Sequence, residues 1–260
     1  MRYFESAPSS ALADFVQCYW FLDKTYGTPG QEGEWVFPDG TTDLVFQRRS
    51  RFAVDARPLP QAFYVGPRRT PLLLHCTGRA AAFGIRFHAH GAYRLFGRPQ
   101  GALVDRVVAM SELTERTPAR KLPVAPWAAF AALERFLAAA QPNARGWPGH
   151  LNRGVRWLRR TRGARPIADL AKHLDVSPRQ LERQFRTATG LSPKQLARIY
   201  RFNAVRDRLM LEHRTDLTGL AHAADYHDQS HFIHDFRAHA GRVPTHFARE
   251  VARGTIRFNT

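Results

Sequence analysis

The chain has 260 residues, 44% of them hydrophobic, with 39 Lys and Arg against 22 Asp and Glu, a formal net charge of +17 and a pI near 11.1. That apolar content supports a real core and excludes wholesale disorder. The charge points to a polyanionic partner, nucleic acid or an anionic membrane, with a merely arginine-rich soluble surface as the plainer alternative.

The first 23 residues, MRYFESAPSSALADFVQCYWFLD, lack a basic segment ahead of their apolar part, and no run of eighteen apolar residues occurs anywhere. Both features weaken the membrane option and point to a soluble cytoplasmic protein. The two cysteines, Cys18 and Cys76, sit in apolar contexts and read as buried free thiols. No C-x-x-C pair is present, so a thiolate-based structural zinc site is excluded.

From residue 15 to about 106 the chain reads as short strands between turns: QCYWFLD, EWVF, TDLVFQR, RFAVDA, AFYVG, PLLLH and AAAFGIRF are aromatic and β-branched. VFPDGTTDLVF has strand–turn–strand chemistry. Pro38 presets φ, Asp39 favours the turn and Gly40 supplies a positive φ. AYRLFG then reads as a short helix and APWAAFAALERFLAAAQ as a longer one, with Trp127, Phe130, Leu133, Phe136 and Leu137 as its apolar stripe. QPNARGWPG, 141–149, is the natural boundary. Beyond it only helices are expected. Residues 151–260 carry 21 Lys and Arg and 10 Asp and Glu, against 18 and 12 in the first 150. The basic excess is concentrated in the helical part.

That part repeats. At an offset of 51, Leu181 meets Phe232, Phe185 meets Phe236, Arg186 meets Arg237, Gly190 meets Gly241 and Pro193 meets Pro244. At an offset of 50, Ala171 meets Ala221 and Asp175 meets Asp225. Each copy has a short helix with a small residue and an aspartate suited to a left-handed turn. A polar cap follows, Ser177 ahead of Pro178 or Asp228, then an apolar stripe, a glycine stop and a proline restart. This is helix–turn–helix grammar, twice. Between the copies, residues 193–213 read as one helix of roughly 20 residues and about 30 Å, close to one turn of DNA.

The stretch IADLAKHLDVSPRQLERQFRTATGLSPKQLARIYRFNAV, with LAHAADYHDQSHFIHDFRAHAGRVPTHF after it, resembles the double helix–turn–helix domain of AraC/XylS-type bacterial transcription regulators. VFPDGTTDLVF and GIRFHAHGAYRLFGRP resemble the β-rich sensor region of one subset of that family. The sequence departs from the family pattern at Asp175 and Asp225, where glycine is usual, and at Val243, where a small hydroxyl residue is common. By position, the resemblance implies base reading by Arg179, Glu182 and Arg183 in the first unit and by Gln229, Ser230, His231 and His234 in the second. Their chemistry suits the major groove: Arg can fork onto guanine, Gln can pair with adenine, and Glu can accept from cytosine. Ser177, Lys194, Arg198, Arg201 and Arg237 are the expected phosphate contacts.

The histidines of YHDQSHFIHDFRAHAGRVP raise one rival, since His227, His231 and His234 fall at i, i+4 and i+7. A metal-dependent hydrolase built on His227–His239 is disfavoured. Asp228 replaces the glutamate a zinc protease needs, His227 precedes the cap, and Phe232 and Phe236 claim the buried side. Neither metal nor cofactor is expected. No nucleophile elbow, phosphate loop or dinucleotide fingerprint occurs, so the chain is not expected to be an enzyme.

The expectation is thus an α+β protein: a β-rich, barrel-like sensor and dimerisation domain over 1–145, then an all-α DNA-binding domain over 150–255. The two units of the latter are 166–189 and 216–240, joined by the helix 193–213. It reads double-stranded DNA by sequence, with non-specific nucleic-acid binding as the alternative. A small-molecule effector at Trp35, Phe37, Phe46 or Tyr64, a homodimer and RNA polymerase are the further partners this reading allows.

Overall fold

The computed structural model describes residues 1–27, 33–116, 118, 122–140, 149–212, 219–221, 226 and 228–253. Among these residues there are ten strands: β1 Arg2–Ser6, β2 Val16–Tyr26, β3 Gly33–Val36, β4 Thr41–Arg49, β5 Ala53–Val54, β6 Arg57–Pro58, β7 Ala62–Val65, β8 Leu72–His75, β9 Gly78–His88 and β10 Val107–Ala109. They form two open antiparallel sheets, a large one ordered β1-β2-β9-β4-β7-β10 and a small one ordered β3-β8-β5-β6. The barrel-like expectation therefore becomes two separate sheets. The turn at Pro38–Gly40 explains part of this. Gly40 takes φ 76°, and Asp39 accepts from the Thr41 amide at 2.8 Å. Yet β3 leaves it to pair with β8, while β4 pairs with β7 and β9.

Period-two alternation gives the large sheet two apolar faces. Tyr19, Phe21, Leu44, Phe46, Tyr64, Phe83 and Ile85 point one way, onto the helix α3, Pro126–Ala139, through Phe130, Leu133 and Leu137. Trp127 of its predicted stripe stays 64% exposed. Trp20, Leu22, Val45, Phe63 and Val65 point the other way, towards the small sheet and its Leu74 and Cys76. Both cysteines are buried and free, and burial pushes the Cys18 thiol up to about 12.

Two short helices, α1 Gly91–Phe96 and α2 Met110–Leu113, and a 3₁₀ turn at Gln100–Leu103 complete this part. The predicted boundary at 141–149 lies almost wholly outside the described residues. After it come α4 His150–Arg160, α5 Ile167–Leu174, α6 Pro178–Thr189, α7 Pro193–Glu212, α8 Gln229–Ala240 and α9 Pro244–Ala252. Among the described residues no helix is long and apolar enough to cross a membrane.

The β-rich part touches both helical units. Ala89, Tyr93 and Val104 join the first unit's core of Leu170, Leu174, Leu181 and Phe185. Phe37 is buried in the second unit's core with Phe202, Phe232, Phe236 and Phe247. The Arg242 guanidinium lies 4.3 Å above the Trp35 ring, and His239 Nδ1 sits 2.9 Å from the Arg69 carbonyl oxygen.

Candidate nucleic-acid interface

The first unit is assembled by local chemistry. α5 ends at Asp175, whose φ of 53° and ψ of 51° are left-handed, and Val176 N–H closes the turn onto the Ala171 carbonyl at 3.1 Å. Ser177 Oγ then accepts from the Gln180 amide at 3.2 Å and Pro178 opens α6. Leu181 and Phe185 are fully buried, which turns Arg179 and Arg183 to solvent. Gly190, at φ 72°, ends the helix. Ser192 and Gln195 cap α7 reciprocally at 2.9 and 3.1 Å, a box placed just after the glycine.

The described part of the second unit repeats the cap, the buried stripe and the glycine stop. Asp228 Oδ1 accepts from the His231 amide at 2.7 Å, Phe232 and Phe236 are buried, and Gly241, at φ 73°, ends α8. Gln229, Ser230, His231 and His234 are exposed. The turn aspartate Asp225 and His227 lie outside the described residues. His231 meets the edge of the Tyr226 ring at 5.4 Å, while His239 is buried on the opposite side against Arg69. Burial holds His239 below the usual imidazole range. His234 and His239 therefore point to different surroundings.

Seven base-reading positions were inferred. Arg179, Arg183, Gln229, Ser230, His231 and His234 share exposed helix surface, and Glu182 is half-buried with its carboxylate on Arg186 at 2.8 Å. The phosphate set divides. Ser177, Lys194 and Arg237 are exposed. Arg198 and Arg201 are engaged inside the protein instead. Arg198 binds Asp235, a carboxylate with no solvent exposure that also accepts from Tyr226 Oη at 3.3 Å. This carboxylate raises the Arg198 guanidinium above its ordinary range. Arg201 donates to the Gly163 carbonyl at 3.0 Å and lies 5.3 Å over the Tyr226 ring. Both link α7 to its neighbours, which is the reason neither reaches outward.

Asp235 is the residue the sequence reading missed. It had a signal: Phe232, Asp235, Phe236 and His239 fall at i, i+3, i+4 and i+7, one helical face, and all four are buried.

The effector candidates divide as well. A cavity of about 1160 Å³ opens between the two sheets and α7, and Trp35 and Phe37 line it. Phe46 and Tyr64 do not. They lie on the opposite face of the large sheet, packed towards α3, with Tyr64 Oη donating to Gln100 Oε1 at 2.7 Å. Alternation separates Phe46 from Val45, but both faces are apolar, so the sequence does not tell which one is hollow.

Residues 170–250 match the model of a helix-turn-helix domain family, and residues 4–109 match that of a domain of unknown function. No curated protein matches the chain. Among solved structures, it is similar to ToxT from Vibrio cholerae, at 9% identity over 88% of this chain and 98% of that one, with a TM-score of 0.47. A second ToxT structure, bound to (E)-4-(8-methylnaphthalen-1-yl)but-3-enoic acid, gives 9% identity, 89% and 99% coverage and a TM-score of 0.49. The C-terminal domain of AraT, a response regulator from Geobacillus stearothermophilus, gives 21% identity, 39% and 85% coverage and a TM-score of 0.37. The stretch that matches the helix-turn-helix domain model, residues 170–250, holds both capped helices, α6 and α8.

Proposed function

We propose that the chain reads a specific DNA site with α6 and α8 in neighbouring major grooves, and that a small molecule in the cavity sets how well it does so. The observation that carries the first half is the division of each recognition helix. The apolar stripe is spent on the core, and the groups able to read base edges, Arg179, Arg183, Gln229, Ser230, His231 and His234, are left exposed. Ser177, Lys194 and Arg237 supply phosphate contacts that position the helices without reading sequence. The second half rests on a shared wall. Trp35 and Phe37 line the cavity, and the same two residues meet Arg242 and Phe247 of the second unit. An occupant that favours one arrangement of this segment over another biases the position of α8.

Selection from a random pool of duplex DNA tests the reading. The expected product is a bipartite motif with half-sites about one helical turn apart. Recovery without a motif would overturn it in favour of non-specific nucleic-acid binding.

A further inference from the structure

Apolar side chains of both sheets line much of the cavity, with Glu5, Glu34, Asp39, Asp43 and Arg86 as charged groups among them. Asp43 and Arg86 stand directly opposite each other on β4 and β9, and Trp20 of β2 stands opposite Gly84. A Cβ at Gly84 would lie 1.9 Å from the Trp20 indole. The missing side chain lets the indole lie across β9 and reach β4, where its Nε1 donates to Asp43 Oδ1 at 2.7 Å. Arg86 Nε donates to the same oxygen at 3.3 Å. Among the described residues, Asp43 Oδ2 accepts no hydrogen bond, and the terminal nitrogens of Arg86 hold only a 3.5 Å ion pair with Glu5. Both side chains line the cavity, at 13% and 26% exposure.

The pair offers an acceptor oxygen beside guanidinium N–H donors, with a second carboxylate, Glu5, 3.5 Å from the guanidinium. An anionic head group would face the Asp43 carboxylate, and a cationic one would face Arg86. A neutral group carrying a donor next to an acceptor meets both. The surroundings favour a flat apolar body: the Trp20 ring beside the pair, then Leu22, Val45, Phe63 and Val65. We propose that Asp43 and Arg86, with Trp20 alongside, recognise the cis-amide edge of a flat, neutral, ring-fused lactam. Its N–H donates to Asp43 Oδ2, and its carbonyl accepts from Arg86. This deepens, and rests on, the effector reading of the same cavity.

The probe is carbostyril, the simplest benzo-fused lactam, titrated into the full chain by calorimetry beside its N-methyl derivative and naphthoate. Carbostyril is expected to bind saturably, with at least a tenfold loss for the N-methyl compound, which lacks the donor. The Asp43→Asn variant keeps an oxygen for Trp20 but places an amide N–H where the free carboxylate oxygen stood, so it should also lose at least tenfold. Its unchanged circular dichroism spectrum and melting point would establish that it folds. Equal binding of both lactams, or equal binding by wild type and Asp43→Asn, would overturn the proposal. Binding of naphthoate in place of carbostyril would overturn it too, and would point to the exposed Arg159 and Arg162 at the cavity rim. No binding of any probe overturns it as well. The DNA selection, run on the same preparation, separates the two readings: a motif with no lactam binding sinks only the ligand class, and lactam binding with no motif sinks the sequence-specific reading.

Discussion

Arg198 decides between two uses of a basic residue that follows a recognition helix. If it touched phosphate, Arg198→Met would leave stability unchanged, weaken DNA binding evenly across sequences and lower the salt slope by about 1. The structure gives it a different task, because its guanidinium neutralises Asp235, which has no solvent exposure. Removing one partner of a fully buried pair costs about 3–5 kcal/mol, since the other charge stays stranded. Arg198 itself is 38% exposed, and water screens part of that interaction, which reduces the figure to about 2–3 kcal/mol. Replacing both residues, Arg198→Met with Asp235→Leu, should recover most of the loss, as apolar substitutes for buried pairs do. Urea denaturation followed by circular dichroism measures the stability, and fluorescence anisotropy over a salt series measures the slope. A stable Arg198→Met protein with a shallower salt slope would refute the structural role.

Other sites give equally direct expectations. Gly84→Ala drives a methyl into the Trp20 indole and should cost about 1–3 kcal/mol by overpacking, read from the same urea curve, with the Trp20–Asp43 hydrogen bond lost. Asp228→Ala removes the α8 cap and should cost about 1 kcal/mol, with faster amide hydrogen exchange in the first turn of α8. His90 is buried and its pKa is lowered from 6.5 to about 3, chiefly by desolvation, so the unfolded chain takes up a proton well before the folded one. Its contribution is present above pH 6.5 and lost as pH falls, at about 1.4 kcal/mol per unit, roughly 2 kcal/mol by pH 5. His90→Phe should flatten that acid limb of stability. At the DNA, Arg183→Ala should cost more affinity than His234→Ala, measured by anisotropy, because the guanidinium offers a fork of charged donors to a base edge.

The helical half is legible because its structure is set by neighbours in sequence. Ser177 and Asp228 cap amides three residues on, Asp175 takes the left-handed turn itself, and Gly190 and Gly241 end their helices by their own φ. A repeat of such local devices can be read without knowing what packs where. The β-rich half and the interior cations depend instead on partners remote in sequence. Nothing near EWVF announces that β3 pairs with β8, or that Phe37 packs against Phe247 more than two hundred residues away. Arg198 and Lys194 look alike in a basic helix; they differ only because a buried Asp235 from α8 faces one of them. The same holds for the cavity. Trp20 and Phe46 are both aromatic strand residues, and the sheet has two apolar faces because α3 covers one and the small sheet covers the other. Alternation assigns residues to faces, and only the layer stacked on each face decides which one is filled and which encloses a space. Asp43, just ahead of the apolar run Leu44–Phe46, and Gly84, within AAAFGI, carried a signal: a carboxylate and a glycine on the sheet face opposite α3 add no apolar packing there.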